Sequence, residues 1–149
     1  MTEILFRGKR VDNGEWVYGY YFKATHHWHN HGIHEDWIAV DTIQNGGYCN
    51  VRGKYAIIPE TLGQYTGLTD KNGKKIFDGD IVMVIDNVWG SPFCYGITGK
   101  IVYDECGFFI EPKNPRDTQW LYNECAIYEV IGNIHDNPEL LERSNENAE

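Results

Sequence analysis

The sequence predicts an all-β fold, mainly β with one short C-terminal helix. Three observations predict it. Apolar residues fall in short runs that either alternate with polar ones or stand unbroken, the spacing of strands and not of helices. Sixteen glycines, several beside Asn or Asp, break those runs at short intervals. Aromatic residues make up 14% of the chain, and large flat side chains suit half-buried pleated surfaces.

The elements follow in order. "ILFRGKRVDNGEWVYGYYF" reads as a hairpin turning at Asp12-Asn13-Gly14, because Asn and Gly tolerate positive φ. After the turn, Trp16, Tyr18, Tyr20 and Phe22 fall on one face, and Val17, Gly19, Tyr21 and Lys23 on the other. "HHWHNHGIHE" interrupts the alternation and reads as a loop. "WIAVDTI" from Trp37 resumes an extended run, "QNGG" ends it, and "VRGKYAII" returns as a further strand before Pro59. Pro59 suits a first helical turn and Gly63 soon follows, so "PETLG" allows one helical or 3₁₀ turn.

"TGLTDKNGKKIFDGDIVMV", from Thr66 to Val84, packs turn residues in front of an unbroken apolar run. In "DIVMVI" both alternating faces are apolar, which predicts a central strand covered on both sides. "ITGKIVYD", "GFFIE", "TQWLYN" and "IYEVIGNI" read as further short strands. In "DNPELLER", Asn137 is a good N-cap and Pro138 a good first helical residue, so a short helix runs to about Arg143. The expected organisation is an N-terminal β subdomain over 1–70, a second β subdomain over 71–135, and a helix with an acidic tail over 136–149, together one compact unit.

Bulk properties exclude several classes. No apolar run is long enough to span a membrane. "MTEILFRGKR" lacks the basic-then-apolar order of a secretion signal. Cys49, Cys94, Cys106 and Cys125 are scattered, with no C-x-x-C. Reduced thiols in a cytoplasm are therefore the expectation. The formal net charge is −9, which disfavours an electrostatic grip on nucleic-acid phosphates. It is compatible with a basic partner, or simply with solubility.

"ILFRGKRVDNGEWVYGY", "IIPETLGQYTGLTDKNGKKIFDGDIV" and "YEVIGNIHDNPELL" together resemble the YopX family of phage and prophage proteins. The middle segment is the most specific, because its order of turn residues is long and unusual. The resemblance implies a mostly β protein whose second subdomain is an SH3-like small barrel, and a gene carried by a phage or prophage of a bacterial host. It implies no reaction.

Few residues offer chemistry. His26, His27, His29, His31 and His34, with Glu35 and Asp36 after them, are a dense set of imidazole and carboxylate ligands. They lack the paired spacing of structural zinc sites and the H-E-x-x-H of metalloproteases, so a solvated loop is the preferred reading. Asp78 and Asp80 flank Gly79 and could hold a cation, yet "DGD" before a strand is ordinary turn chemistry. Cys94 and Cys106 have neither an obvious helix after them nor a partner motif that would make either a nucleophile. No P-loop, G-x-S-x-G or G-x-G-x-x-G occurs. No catalytic residue, metal ligand or cofactor is assigned.

The aromatics remain. Trp28 and Trp89 sit in expected loops and are the candidate interface residues, against the alternative that each plugs one end of a barrel. Lys71, Lys74 and Lys75 form a local basic cluster, with Asp70, Asp78 and Asp80 beside them. The expected function is a non-enzymatic binding or assembly module that meets a protein partner or its own copies. A nucleic-acid-associated protein of phage DNA metabolism is the alternative, with DNA mimicry by the acidic surface as a variant. A metal-dependent enzyme built on the His26–His34 cluster is the third reading.

Overall fold

The computed structural model describes residues 3–28, 31–45, 48–86, 95–122 and 126–143, and for 26–34, 41–52, 86, 95 and 96 within these the backbone alone. The described residues are mostly strand, with one short helix, so the all-β class holds. The chain divides into two units, Met1–Tyr65 and Thr66–Glu149.

The first unit is an antiparallel sheet. β1 (Phe6–Lys9) pairs with β2 (Trp16–Trp28) through the turn at Asp12 to Gly14, where the Gly14 N–H donates to the Arg10 carbonyl at 2.9 Å. β3 (His31–Asn45) pairs with β2, and β4 (Tyr48–Ala56) with β3. A single 3₁₀ turn, Pro59–Thr61, follows as expected. β5 (Gly63–Thr69) then returns beside β1. The buried face packs Val17, Ile38 and Ile57, with Phe6, Val40, Tyr55 and Leu62 around them.

The segment "HHWHNHGIHE" was expected to be a loop, and this is corrected. The β2–β3 ladder continues past Phe22↔Trp37 and Thr25↔His34 to Trp28↔His31. The reason is physical. Alternation reveals a strand only where one face is buried, whereas a hairpin arm is held by backbone hydrogen bonds whatever its side chains. No strand was expected over Gly63–Thr69, yet β5 runs through both Gly63 and Gly67.

The second unit holds a five-stranded antiparallel sheet in the order β10-β9-β8-β7-β11. Its strands are β7 (Asp80–Asp86), β8 (Tyr95–Asp104), β9 (Gly107–Pro112), β10 (Gln119–Trp120) and β11 (Ala126–Asn133). β6 (Lys75–Phe77) precedes them, and α1 (Glu139–Arg143) closes the described chain at the predicted place. β7 is central, as its two apolar faces predict: it lies between β8 and β11, and Ile81, Val82 and Val84 are buried. The core gathers Ile76, Val82, Val84, Ile101, Phe108, Ile110, Leu121 and Tyr128. The order has two ends, β10 and β11, so among the described residues the sheet stays open and no barrel closes.

The turn-rich stretch before β7 serves this architecture. Gly73 and Gly79 have φ of 80° and 87°, which an L side chain adopts only with strain. Gly79 donates its N–H to the Ile101 carbonyl, and its own carbonyl accepts from Ile134 N–H, both at 2.9 Å. The buried Asp70 carboxylate accepts three backbone N–H groups: Asn72 at 2.8 Å, Lys74 at 2.9 Å and Val130 at 3.1 Å. Lys71 N–H reaches the Tyr128 carbonyl at 2.8 Å. The Asp70–Lys74 turn therefore occupies the outer edge of β11, where a neighbouring strand would otherwise pair.

Candidate functional site

The site follows from the alternation in β2. Side chains at every second position share a face, and Val17 is buried in the small core of the first unit. Its neighbours in the other phase must therefore point away from that core. Tyr18, Tyr20 and Phe22 are 45%, 51% and 37% exposed. Three successive outward positions of one strand thus carry large rings open to solvent, in a chain that buries much smaller residues.

The ladder sets their neighbours. Tyr18 lies opposite Arg7, and Trp16 opposite Lys9. Tyr20 lies opposite Ala39, and Phe22 opposite Trp37. Ala39 in turn faces Lys54, and Trp37 faces Ala56. Residues opposite one another across a ladder share a face. The outward face therefore collects Trp16, Tyr18, Tyr20, Phe22 and Trp37, the accessible cations Lys9 and Lys54 and the alanines 24, 39 and 56, while Arg7, in the same phase, is buried.

The cations sit over the rings. The Arg7 guanidinium lies 4.6 Å and the Lys9 ammonium 5.5 Å from the Trp16 ring centroid. The Lys54 ammonium lies 5.2 Å from the Trp37 centroid. At these distances the ring quadrupole attracts the charge. Glu35, opposite Ala24 at the end of the patch, is an acid of the same face, and Asp41 falls in the same phase of β3 with only its backbone described.

The opposite face fixes the sheet beneath. Tyr21 hydroxyl donates to Asp36 Oδ1 at 2.5 Å, and its ring meets Phe6 with centroids 5.6 Å apart. The hydrogen bond to Asp36, with desolvation and the carboxylate charge behind it, pushes the Tyr21 hydroxyl pKa up. The strand that carries the outward rings is thus pinned from behind.

The residues singled out in the sequence fall elsewhere. Trp28 ends β2, paired in the backbone ladder with His31, and its side chain is outside the described residues. Trp89 lies outside the described residues altogether, as do His29, Cys94 and Cys125. His26, His27, His31 and His34 are brought onto two paired strands, with only their backbone described. Among the described residues no group of three His, Cys, Asp or Glu side chains is placed to hold a metal ion. Asp80 is buried, with Oδ2 accepting the Phe77 N–H at 2.8 Å, the turn chemistry expected of "DGD". Cys106 is exposed, in the β8–β9 turn. Lys71 pairs with Glu129 at 2.9 Å.

The second unit has a cleft of about 670 Å³ between Leu68–Lys71 and Ala126–Tyr128, with Tyr122 in its wall. The Tyr122 hydroxyl donates to the Thr66 carbonyl at 2.9 Å, and the exposed Trp120 ring packs edge-on against both Phe109 and Tyr122. Asp70, the carboxylate in that wall, is spent on three backbone donors. The cleft thus presents no acid–base pair, and the aromatic face of the first unit is the better candidate.

Sequence reasoning recorded the phase of Trp16 to Phe22 but not its exposure. It missed the cations, because Lys9 and Lys54 lie far apart in sequence and meet only through the β1-β2-β3-β4 register.

The family model described as YopX protein matches residues 5–142. The crystal structure of protein EF1440 from Enterococcus faecalis is similar, with 27% sequence identity and a TM-score of 0.53, over 95% of this chain and 99% of that one. No curated protein matches. Among the described residues no helix is long and apolar enough to cross a membrane.

Proposed function

The chain belongs to the YopX family, and from that premise we propose that it is a phage- or prophage-encoded binding module without catalytic activity. It acts in the cytoplasm of the bacterial host and engages its partner through the outward aromatic face of β2. The observation that carries this reading is the exposure of Tyr18, Tyr20 and Phe22 in succession. Rings of that size leave water at low entropic cost when a partner covers them, which is why aromatic residues concentrate binding energy at interfaces.

The second unit is read as the SH3-like part, left unclosed: a meander from β7 to β10, with β11 returning beside β7. Among the described residues, the candidate acids and the base near β6 are otherwise engaged. The buried carboxylates Asp70 and Asp80 accept backbone N–H groups, and Lys71 is ion-paired.

The test compares tagged wild-type protein with the triple variant Tyr18→Ser, Tyr20→Ser, Phe22→Ser, used as bait in lysogenic cells and sedimented alone. Loss in the variant of a partner, protein or nucleic acid, or of self-association, supports the reading. Capture and sedimentation indifferent to the three substitutions overturn it.

A further inference from the structure

We infer that the outward face of the first unit takes single-stranded nucleic acid, its bases stacked on Tyr18, Tyr20 and Phe22 and its phosphates held by Lys9 and Lys54. The inference rests on the proposed binding role of that face and names its partner class.

Four observations favour a nucleic acid over a protein. First, the three exposed rings recur at every second residue of one strand, about 6.7 Å apart. That makes a row of separate platforms, and each base has a flat face to lay on one. Second, alanines 24, 39 and 56 are the small residues set between and beside the rings on β2 to β4. A protein interface core fills its gaps with knobs, whereas a stacking platform leaves the ring faces clear. Third, Lys9 and Lys54 flank the rings from the two sides of β2, on β1 and β4. Cations bordering aromatics form the groove that tracks a sugar–phosphate backbone.

Fourth, the net charge of −9 does not apply evenly. Residues 66–149 hold 15 acidic and 7 basic side chains, a net −8, while residues 1–65 hold 7 and 6, a net −1. The total charge argued against phosphate binding. The first unit on its own is close to neutral, and its aromatic face carries the accessible cations Lys9 and Lys54. A duplex is disfavoured because its bases are already stacked on one another and offer no free faces.

The test uses fluorescein-labelled oligothymidine and oligoadenosine of roughly a dozen nucleotides, a length within the span that small β modules cover. A duplex of the same length serves as control, and anisotropy is read at low salt. The expected result is micromolar binding of the single strands and weaker binding of the duplex. Two phosphate contacts give a slope of log K against log salt near −1.4, and Lys54→Ala reduces it by about 0.7. Tyr20→Ser weakens binding roughly tenfold, and Tyr20→Trp restores or tightens it. An unchanged thermal midpoint in Tyr20→Ser separates lost contact from lost fold.

No anisotropy change at tens of micromolar protein overturns the inference, as does binding indifferent to Tyr20→Ser. Either failure leaves the binding role of the face standing if a protein partner or self-association is lost in the triple serine variant. If nothing depends on these rings, both readings fall.

Discussion

The carboxylate of Asp70 accepts the backbone N–H of Val130, sixty positions along the chain, at 3.1 Å. The same carboxylate closes its own turn through Asn72 and Lys74. One side chain therefore fixes both the turn and its docking against β11. A buried acceptor serving three donors is costly to remove, because each donor loses its bond where water cannot fully replace it. Asp70→Ala is expected to cost on the order of 3 kcal/mol, and Asp70→Asn, which keeps an oxygen for the turn, about half of that. Urea unfolding measures both. A loss under about 0.5 kcal/mol for the alanine variant would show the turn holding without its carboxylate.

The same residue sets a pH dependence. Burial works against the Asp70 charge, but the N–H groups of Val130, Lys74 and Asn72, with the Lys74 ammonium, outweigh it and hold the carboxyl below the ordinary range. A pKa depressed in the folded state gives stability that is full above the unfolded value and fades as pH falls through the folded one. The gap in urea midpoint between wild type and Asp70→Asn should thus be constant above about pH 5 and narrow below about pH 4. A gap unchanged into strong acid would show that the charge contributes nothing.

The turn between β8 and β9 holds Glu105 at φ 43° and Cys106 at φ 65°. Two successive left-handed residues give the twist that a tight hairpin favours, but neither side chain suits the conformation. Cys106→Gly is expected to stabilise by about 1 kcal/mol, read as a higher thermal midpoint. A lower midpoint would mean that the exposed thiol makes contacts that outweigh the strain.

The two faces of the first sheet should respond oppositely. Ile38 is fully buried in the small core, and Ile38→Ala is expected to cost about 2–4 kcal/mol. Tyr20, half exposed on the outward face, should tolerate serine within about 0.5 kcal/mol. Differential scanning calorimetry of the two variants decides it. A large loss for Tyr20→Ser would make its ring a structural element instead of a binding one.

Legibility in the sequence followed burial. β7 was readable because Ile81 to Ile85 are apolar in both phases, and the helix after Asn137 because Asn-Pro marks a helix start. The β2 phase was readable because Val17 and the rings alternate. The histidine-rich arm of the β2–β3 hairpin was misread, since backbone pairing leaves no pattern in side-chain polarity. β5 was missed because its residues read as a turn-rich stretch, while its strand is supported by pairing with β1. The candidate face was half legible: its rings are local in sequence, but Lys9 and Lys54 reach it only once four strands are in register.

The position of the Asp70 turn along β11 has a consequence outside the molecule. A bare strand edge is a template on which another chain can lay its own strand, and that addition repeats. Loss of this one carboxylate would therefore register first as clouding of concentrated solutions, with a lag and seeding, before any single molecule had melted.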